Sequence, residues 1–471
     1  MERRNYFLKF SLLLLLAISL GACNLGTARE AAPPTLQALP SATPPPTLGV
    51  EISGDPQQPG IILAQTPIAD PSIEINNLLN QVDAERMRAH IAFLQSVHTR
   101  HILSSTTEAG YGIGAAERYI AEQFQLISQS SGGNLQQPIE HAFTAYNTAS
   151  ESAINYNVFS VISGTETNAG IYIIGAHYDS VNTNLKDPTA YAPGANDNGS
   201  GVAALLEIAR ILSQRRYRAT LIFVAFSGEE HDRQGSKAFV DYLSQGNMLS
   251  EVRGMINIDT IGNNDDGKGN IDDTSLRVFS DESNVSKARQ MARMAEIVGD
   301  IYGLDMRLLV ETRRDREGRY GDHFSFNDAG TPAIRFINTM EQWPNGSPND
   351  LIQYIEFDYL ERATKSIMMF ILTQADGPRL RRCDIVLRDL GNGNQSLLWD
   401  PVETANGYMV FLRFADSLRY DAYFTTEASS VDSWDGFQQF GTITVAARGN
   451  NGIVGPFCDE YAVSSQIASS P

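Results

Sequence analysis

Ile171-Tyr172-Ile173-Ile174-Gly175-Ala176-His177-Tyr178-Asp179-Ser180 joins a short apolar run to a polar turn. It is followed, about twenty residues on, by Gly194-Ala195-Asn196-Asp197-Asn198-Gly199-Ser200-Gly201. The run 171–174 is β-branched and unbroken by polar residues, as in a strand buried on both faces of a parallel sheet. His177 then falls just past that strand's carboxyl end, where open α/β sheets build their sites. Asp179, two residues on, can accept the second imidazole N–H and so fix the tautomer of a metal-ligating ring. Asp197 lies among Gly194, Gly199 and Gly201, so the backbone there can take positive φ and approach an ion closely. Apolar residues Val202, Leu205, Leu206, Ala209 and Leu212 recur at helical spacing and predict a helix over 200–214.

The same grammar repeats downstream. The run 220–226 delivers Ser227-Gly228-Glu229-Glu230 at its carboxyl end. Two adjacent carboxylates repel unless one binds a cation and the other is left to carry a proton, which suits Glu230 as ligand and Glu229 as general base. The run 255–258 ends in Asp259-Thr260-Ile261-Gly262, and Tyr320-Gly321-Asp322-His323-Phe324 precedes a further strand at 333–337. His177, Asp197, Glu230, Asp259 and His323 are too many donors for one catalytic zinc. They suit two ions that share one bridging carboxylate.

From about residue 157 to residue 337 the chain resembles the co-catalytic di-zinc exopeptidases typified by bacterial leucyl aminopeptidase, in motif order, in the Glu pair and in the strand-end setting of the ligands. The resemblance implies two Zn²⁺ per chain, with Asp197 as the bridging ligand. His177 and Asp259 complete one site, and Glu230 and His323 the other. It makes Glu229 the general base and Asp179 the residue that orients His177. It also implies a cis peptide bond after Asp197 and, as substrates, peptides with a free amino terminus. Two departures stand out. Relatives usually follow the Glu pair with a Gly-Leu stretch, where this chain has His231-Asp232-Arg233-Gln234, with His231 expected in a solvent-facing loop. Ser or Thr commonly precedes the Asp-His pair, where this chain has Gly321.

Other readings of the same fold are glutaminyl cyclase-like acyl transfer, which needs one zinc, carboxyl-terminal cleavage, and a non-enzymatic binding protein, whose mark would be missing ligands. A serine hydrolase is disfavoured because the chain lacks a Gly-x-Ser-x-Gly elbow. Residues 263–273 are acidic but fail the calcium-loop spacing, since a Gly267 at position six puts Gly262 at position one.

Residues 1–22 read as a lipoprotein signal peptide: Arg3 and Arg4, an apolar run at 10–20 too short to span a bilayer, then Leu20-Gly21-Ala22-Cys23. This resembles the bacterial lipobox and implies a lipid on Cys23, hence anchoring to the outer face of a membrane. Plain secretion is the alternative. Residues 23–71, rich in Pro, Thr and Ala, are expected to form a disordered tether.

The expected catalytic domain, 72–376, carries helical periodicity at 72–97, 108–127, 284–302 and 359–374. Strands and helices alternate, so the fold class is α/β, a mostly parallel central sheet sandwiched by helices. Beyond Gly377-Pro378 short alternating strands take over. Leu398-Trp399-Asp400-Pro401 and Gly407-Tyr408-Met409-Val410 make 379–466 look like a fibronectin type III β-sandwich. Cys383 and Cys458 near its ends are expected to pair in an exported chain. With 36 Lys and Arg against 55 Asp and Glu, the formal charge of −19 argues against nucleic acid as a partner.

Overall fold

The computed structural model describes residues 71–147, 150–315, 320–341, 345–391 and 393–463. The signal segment, Cys23 and almost all of the expected tether lie outside the described residues. No described helix is long and apolar enough to cross a membrane.

Eight strands form one sheet: β1 (Ile139–Tyr146), β2 (Ser152–Ile162), β3 (Ile171–His177), β4 (Thr220–Phe226), β5 (Val252–Ile258), β6 (Ser275–Phe279), β7 (Arg307–Val310) and β8 (Ala333–Asn338). Their order across the sheet is β1-β2-β4-β3-β5-β8-β6-β7. The central β4, β3, β5 and β8 are mutually parallel. Antiparallel pairing enters only at the flanks, where β2 joins β1 and β4 and β6 joins β8.

The helices are α1 (Ile73–Leu79), α2 (Ala84–Ser96), α3 (Ile113–Ser130), α4 (Gly201–Leu212), α5 (Gln234–Gln245), α6 (Lys287–Ile301), α7 (His323–Asp328) and α8 (Phe357–Asp376). They cover both faces. Along β4, Leu221, Phe223 and Ala225 enter a core built with α2, α3, α4, α6 and α8. Ile222, Val224 and Phe226 enter another with Phe239 and Leu243 of α5 and Phe326 of α7. Consecutive side chains point to opposite faces and each finds apolar cover, so the run shows no polar alternation.

Helix boundaries shift from expectation, and two of the shifts have a plain local cause. The stretch 72–97 breaks in two because Asp83 caps the second helix, its Oδ1 accepting the N–H groups of Glu85 (2.9 Å) and Arg86 (3.3 Å). The helix expected from 108 begins at Ile113, after Gly112 at φ 79°.

The carboxyl-terminal segment adds β9 (Val386–Gly391), β10 (Asn394–Leu398), β11 (Ala405–Arg413), β12 (Ala422–Thr426), β13 (Ser430–Trp434), β14 (Thr442–Gly449) and β15 (Tyr461–Ala462). They form two antiparallel sheets, β13-β10-β9 and β12-β11-β14-β15. One apolar cluster joins the sheets, with Leu397, Trp399 and Val431 meeting Tyr408, Val410, Leu412 and Val445. Trp399 and Tyr408 pack edge to face at 5.3 Å. Cys383 and Cys458 form a disulfide with Cα atoms 5.2 Å apart.

Candidate metal centre

Because β4, β3, β5 and β8 are parallel, their carboxyl ends open on one edge, and the expected ligands gather there. His177 is the last residue of β3, which runs three residues past the apolar run 171–174, rather than lying just beyond the strand. Glu229 and Glu230 lie in the turn after β4, and Asp259 immediately follows β5. His323 opens α7, which leads into β8.

Asp197 sits in an irregular turn, Ala195–Ser200, with a cis bond between Asp197 and Asn198. Three side chains stitch this turn to the end of β5. The Asn198 amide donates to the Ile258 carbonyl (2.9 Å), and its Oδ1 accepts from the N–H groups of Gly201 and Thr260 (both 3.0 Å). Ser200 Oγ accepts from Ile261 N (3.0 Å) and donates to the Asn196 carbonyl (2.7 Å). Asn196 Oδ1 accepts from Gly262 N (2.9 Å). A Cβ on Gly201 would stand 2.3 Å from Asn198 Oδ1 and 2.5 Å from the Ile258 carbonyl oxygen, so this seam admits only glycine.

The result is a tight cluster. His177 Nε2 lies 3.3 Å from Asp197 Oδ1 and 3.4 Å from Asp259 Oδ1. The donor atoms of these three residues all lie within 4.8 Å of one another. On the far side of the ring, His177 Nδ1 lies 3.4 Å from Asp179 Oδ1. Asp179 also accepts the backbone N–H groups of Glu229 (3.1 Å) and Glu230 (3.2 Å), so one buried carboxylate orients the imidazole and fixes the Glu turn. Glu229 Oε2 is 4.0 Å from His177 Nε2. Glu230 and His323 flank this trio rather than join it, and Asp315 Oδ2 is 3.8 Å from His323 Nε2.

The electrostatics are those of crowded acids. Burial, then the nearby Asp197, pushes the Glu230 carboxyl up to about 8. Burial also raises Glu229 well above the usual carboxylate range; His177 opposes this, while Asp259 and Glu230 add to it. His177 is raised well above its ordinary value: burial works against its charge, but Asp259 and Glu229 outweigh it. Burial holds His323 down to about 4, hence neutral near pH 7. A neutral, buried His323 imidazole keeps a lone pair on one ring nitrogen, and with a buried Glu230 Oε1 that has no hydrogen-bond partner it offers donors that a cation would satisfy. A divalent cation would also supply the positive charge that such mutually repelling carboxylates otherwise take up as protons. Imidazole and carboxylate donors with no thiolate suit zinc.

Several supporting residues carry no motif. Asp350, 2% exposed, accepts the N–H groups of both Asn196 and Asp197 at 2.8 Å and holds the turn from behind. Arg100, fully buried, donates to the carbonyls of Tyr178 (2.6 Å), Leu94 (2.9 Å), Pro193 (2.7 Å) and Gly194 (2.8 Å). His231 is not solvent-facing: it is 7% exposed, with Nε2 3.4 Å from the Leu185 carbonyl, which also receives His101 Nε2 at 2.9 Å. The Leu185 loop covers it, which local polarity could not reveal.

Comparison with known proteins gives a consistent picture. Residues 157–371 match the model of peptidase family M28. The chain is 32% identical to a "Probable zinc metalloprotease" of Pyricularia oryzae, over 84% of this chain and 87% of that protein. It is also 32% identical to one of Leptosphaeria maculans, over 66% and 79%. Among solved structures it resembles the Legionella pneumophila LapA aminopeptidase, with a TM-score of 0.51 at 19% identity, covering 66% of this chain and 77% of that one. At that identity the likeness is one of fold.

Proposed function

This chain belongs to peptidase family M28, and on that footing we propose that it is an aminopeptidase that uses two zinc ions to remove the amino-terminal residue of peptides. The observation that carries the reading is the His177, Asp197 and Asp259 cluster at the carboxyl edge of the sheet, with Glu229 4.0 Å from His177. In this reading His177 and Asp259 hold one ion, Glu230 and His323 the other, and Asp197 both. Bound there, zinc supplies Lewis acidity, polarising the peptide carbonyl and making a water acidic enough to lose a proton near neutral pH.

The chain's own residues do the rest. Asp179 keeps the proton on Nδ1 of His177, leaving Nε2 as the donor. Glu229 takes a proton from the attacking water as its oxygen bonds to the carbonyl carbon. It then delivers that proton to the departing nitrogen as the C–N bond breaks.

The test is hydrolysis of aminoacyl p-nitroanilides, with N-acetylated controls, before and after chelation and zinc restoration. Cleavage of free-amine substrates only, lost on chelation and recovered with zinc, is expected. A zinc-loaded chain that leaves every free-amine substrate intact would overturn the aminopeptidase reading and turn attention to carboxyl-terminal cleavage or acyl transfer.

A further inference from the structure

One charged residue of the sheet has no part in the scheme above. Arg335 lies in the middle of β8, in the apolar run Ala333-Ile334-Arg335-Phe336-Ile337, and is 3% exposed. A buried guanidinium is costly unless its charge and its N–H groups are met. Two carboxylates meet the charge at once, while Nε is left without a hydrogen-bond partner. Arg335 Nη2 is 3.0 Å from Asp259 Oδ2, and Nη1 donates to Asp315 Oδ2 at 2.9 Å. Burial works against its charge, but Asp259 and Asp315 outweigh that and raise its pKa. A Cβ on Gly321 would meet Arg335 Cδ at 3.0 Å, so the glycine leaves the room this side chain occupies.

We propose that Arg335 is a positioning residue for the metal centre: it holds one oxygen of Asp259 so that the other alone faces the ion shared with His177, and Asp315 holds Arg335 in turn. The two oxygens of Asp259 are already divided in this way, Oδ2 toward Arg335 and Oδ1 3.4 Å from His177 Nε2. Asp315 reaches further. The same Oδ2 that accepts from Arg335 accepts Gly321 N at 3.3 Å and lies 3.8 Å from His323 Nε2. One buried ion pair therefore touches a ligand of each ion, and ties the ligand after β5 to the ligand that opens α7. The inference rests on the two-zinc reading, but not on the substrate.

The experiment is zinc titration of the metal-free full chain against a competing chelator, together with the absorption spectrum of the cobalt(II)-loaded protein. The variants are Arg335→Met, Arg335→Lys, Asp315→Asn and the double variant Arg335→Met/Asp315→Asn. Removing a partner that orients a ligand typically weakens metal binding tenfold or more. Arg335→Met is expected to lose about that factor at one of the two sites and to shift the cobalt bands. Arg335→Lys should recover part of both losses, and Asp315→Asn should move them the same way by less. The double variant removes one charge of each sign, so the net interior charge is unchanged, and it keeps the test readable should Arg335→Met fail to fold. Zinc affinity within twofold of the unmodified chain in the double variant, with an unchanged cobalt spectrum, would overturn the proposal and leave Arg335 a structural ion-pair partner. An unmodified chain that binds no zinc would remove the two-zinc reading itself, a distinguishable failure.

Discussion

Glu229 and Glu230 are neighbours in the chain with their N–H groups tied to the same carboxylate, yet their surroundings part them. Glu230 feels Asp197 most strongly after its own burial, whereas Glu229 lies against His177 and feels Asp259. A carboxylate beside the cluster but outside the ligand set is placed to move a proton. Glu229→Gln should therefore lower kcat by roughly a hundred- to ten-thousandfold, while zinc per chain stays at the unmodified level. Substantial residual turnover would sink the base assignment, and loss of metal would make Glu229 a ligand. Most residues in this set are readable in sequence because they follow an apolar run or sit among glycines, while His323 is read from its Asp-His pair ahead of a strand. Asp350 is not, since it acts only by accepting two N–H groups from a turn over 150 residues away. Arg335 occupies a middle ground. A charge inside a run buried on both faces always has partners, so its presence is legible, but only the fold names Asp259 and Asp315.

Strands were easier to read than helix ends, for a physical reason. A strand covered on both faces announces itself by unbroken apolar residues, and 220–226 coincides with β4. A helix end is set by a capping contact that one polar side chain makes or fails to make. Ser286 accepts the N–H of Arg289 at 2.9 Å, so α6 begins at Lys287, three residues after the periodicity suggests. The turn at Ala195–Ser200 is a further case, since its glycines say that the chain bends but not that Asn198 welds it to β5. This weld is what sets Asp197 beside Asp259. Asn198→Ala would strand three buried backbone partners and is expected to cost roughly 3 kcal/mol of stability, read by urea denaturation of the metal-free protein. A change below about 0.5 kcal/mol would show that the turn keeps its shape without the side chain.

At the scale of the molecule, the carboxyl-terminal sheets are not an appendage. In β11, Tyr408, Val410 and Leu412 enter the cluster between the two small sheets, while Met409 and Phe411 enter the core of the large sheet and its helices. The apolar run 408–412 thus carried the news that both faces are covered, without saying by what. The cover is α6. Its Arg293 pairs with Glu460 at 2.9 Å, Glu460 also takes Arg413 at 2.7 Å and Tyr420 OH at 2.9 Å, and Tyr302 donates to the Gly452 carbonyl at 3.1 Å. One group at this joint is poorly compensated. Glu296 of α6 lies 2.9 Å from Arg419, but the Arg419 side chain is 55% exposed and the Glu296 side chain 10%, so burial wins and raises Glu296 to about 7. A carboxyl that holds its proton more tightly folded than unfolded favours the folded state at low pH and loses that contribution as pH rises. The window runs from the ordinary value of 4.5 to about 7, and the loss across it is roughly 3 kcal/mol. Denaturation of the metal-free chain from pH 4 to pH 8 should therefore show a fall that Glu296→Gln reduces by about that amount, the remainder belonging to other buried carboxyls such as Glu230 and Asp350, since the amide cannot ionise and the joint stays neutral. An unchanged pH slope in the variant would mean that Arg419 holds the carboxylate charged after all, and that the contact between α6 and the small sheets is an ordinary ion pair.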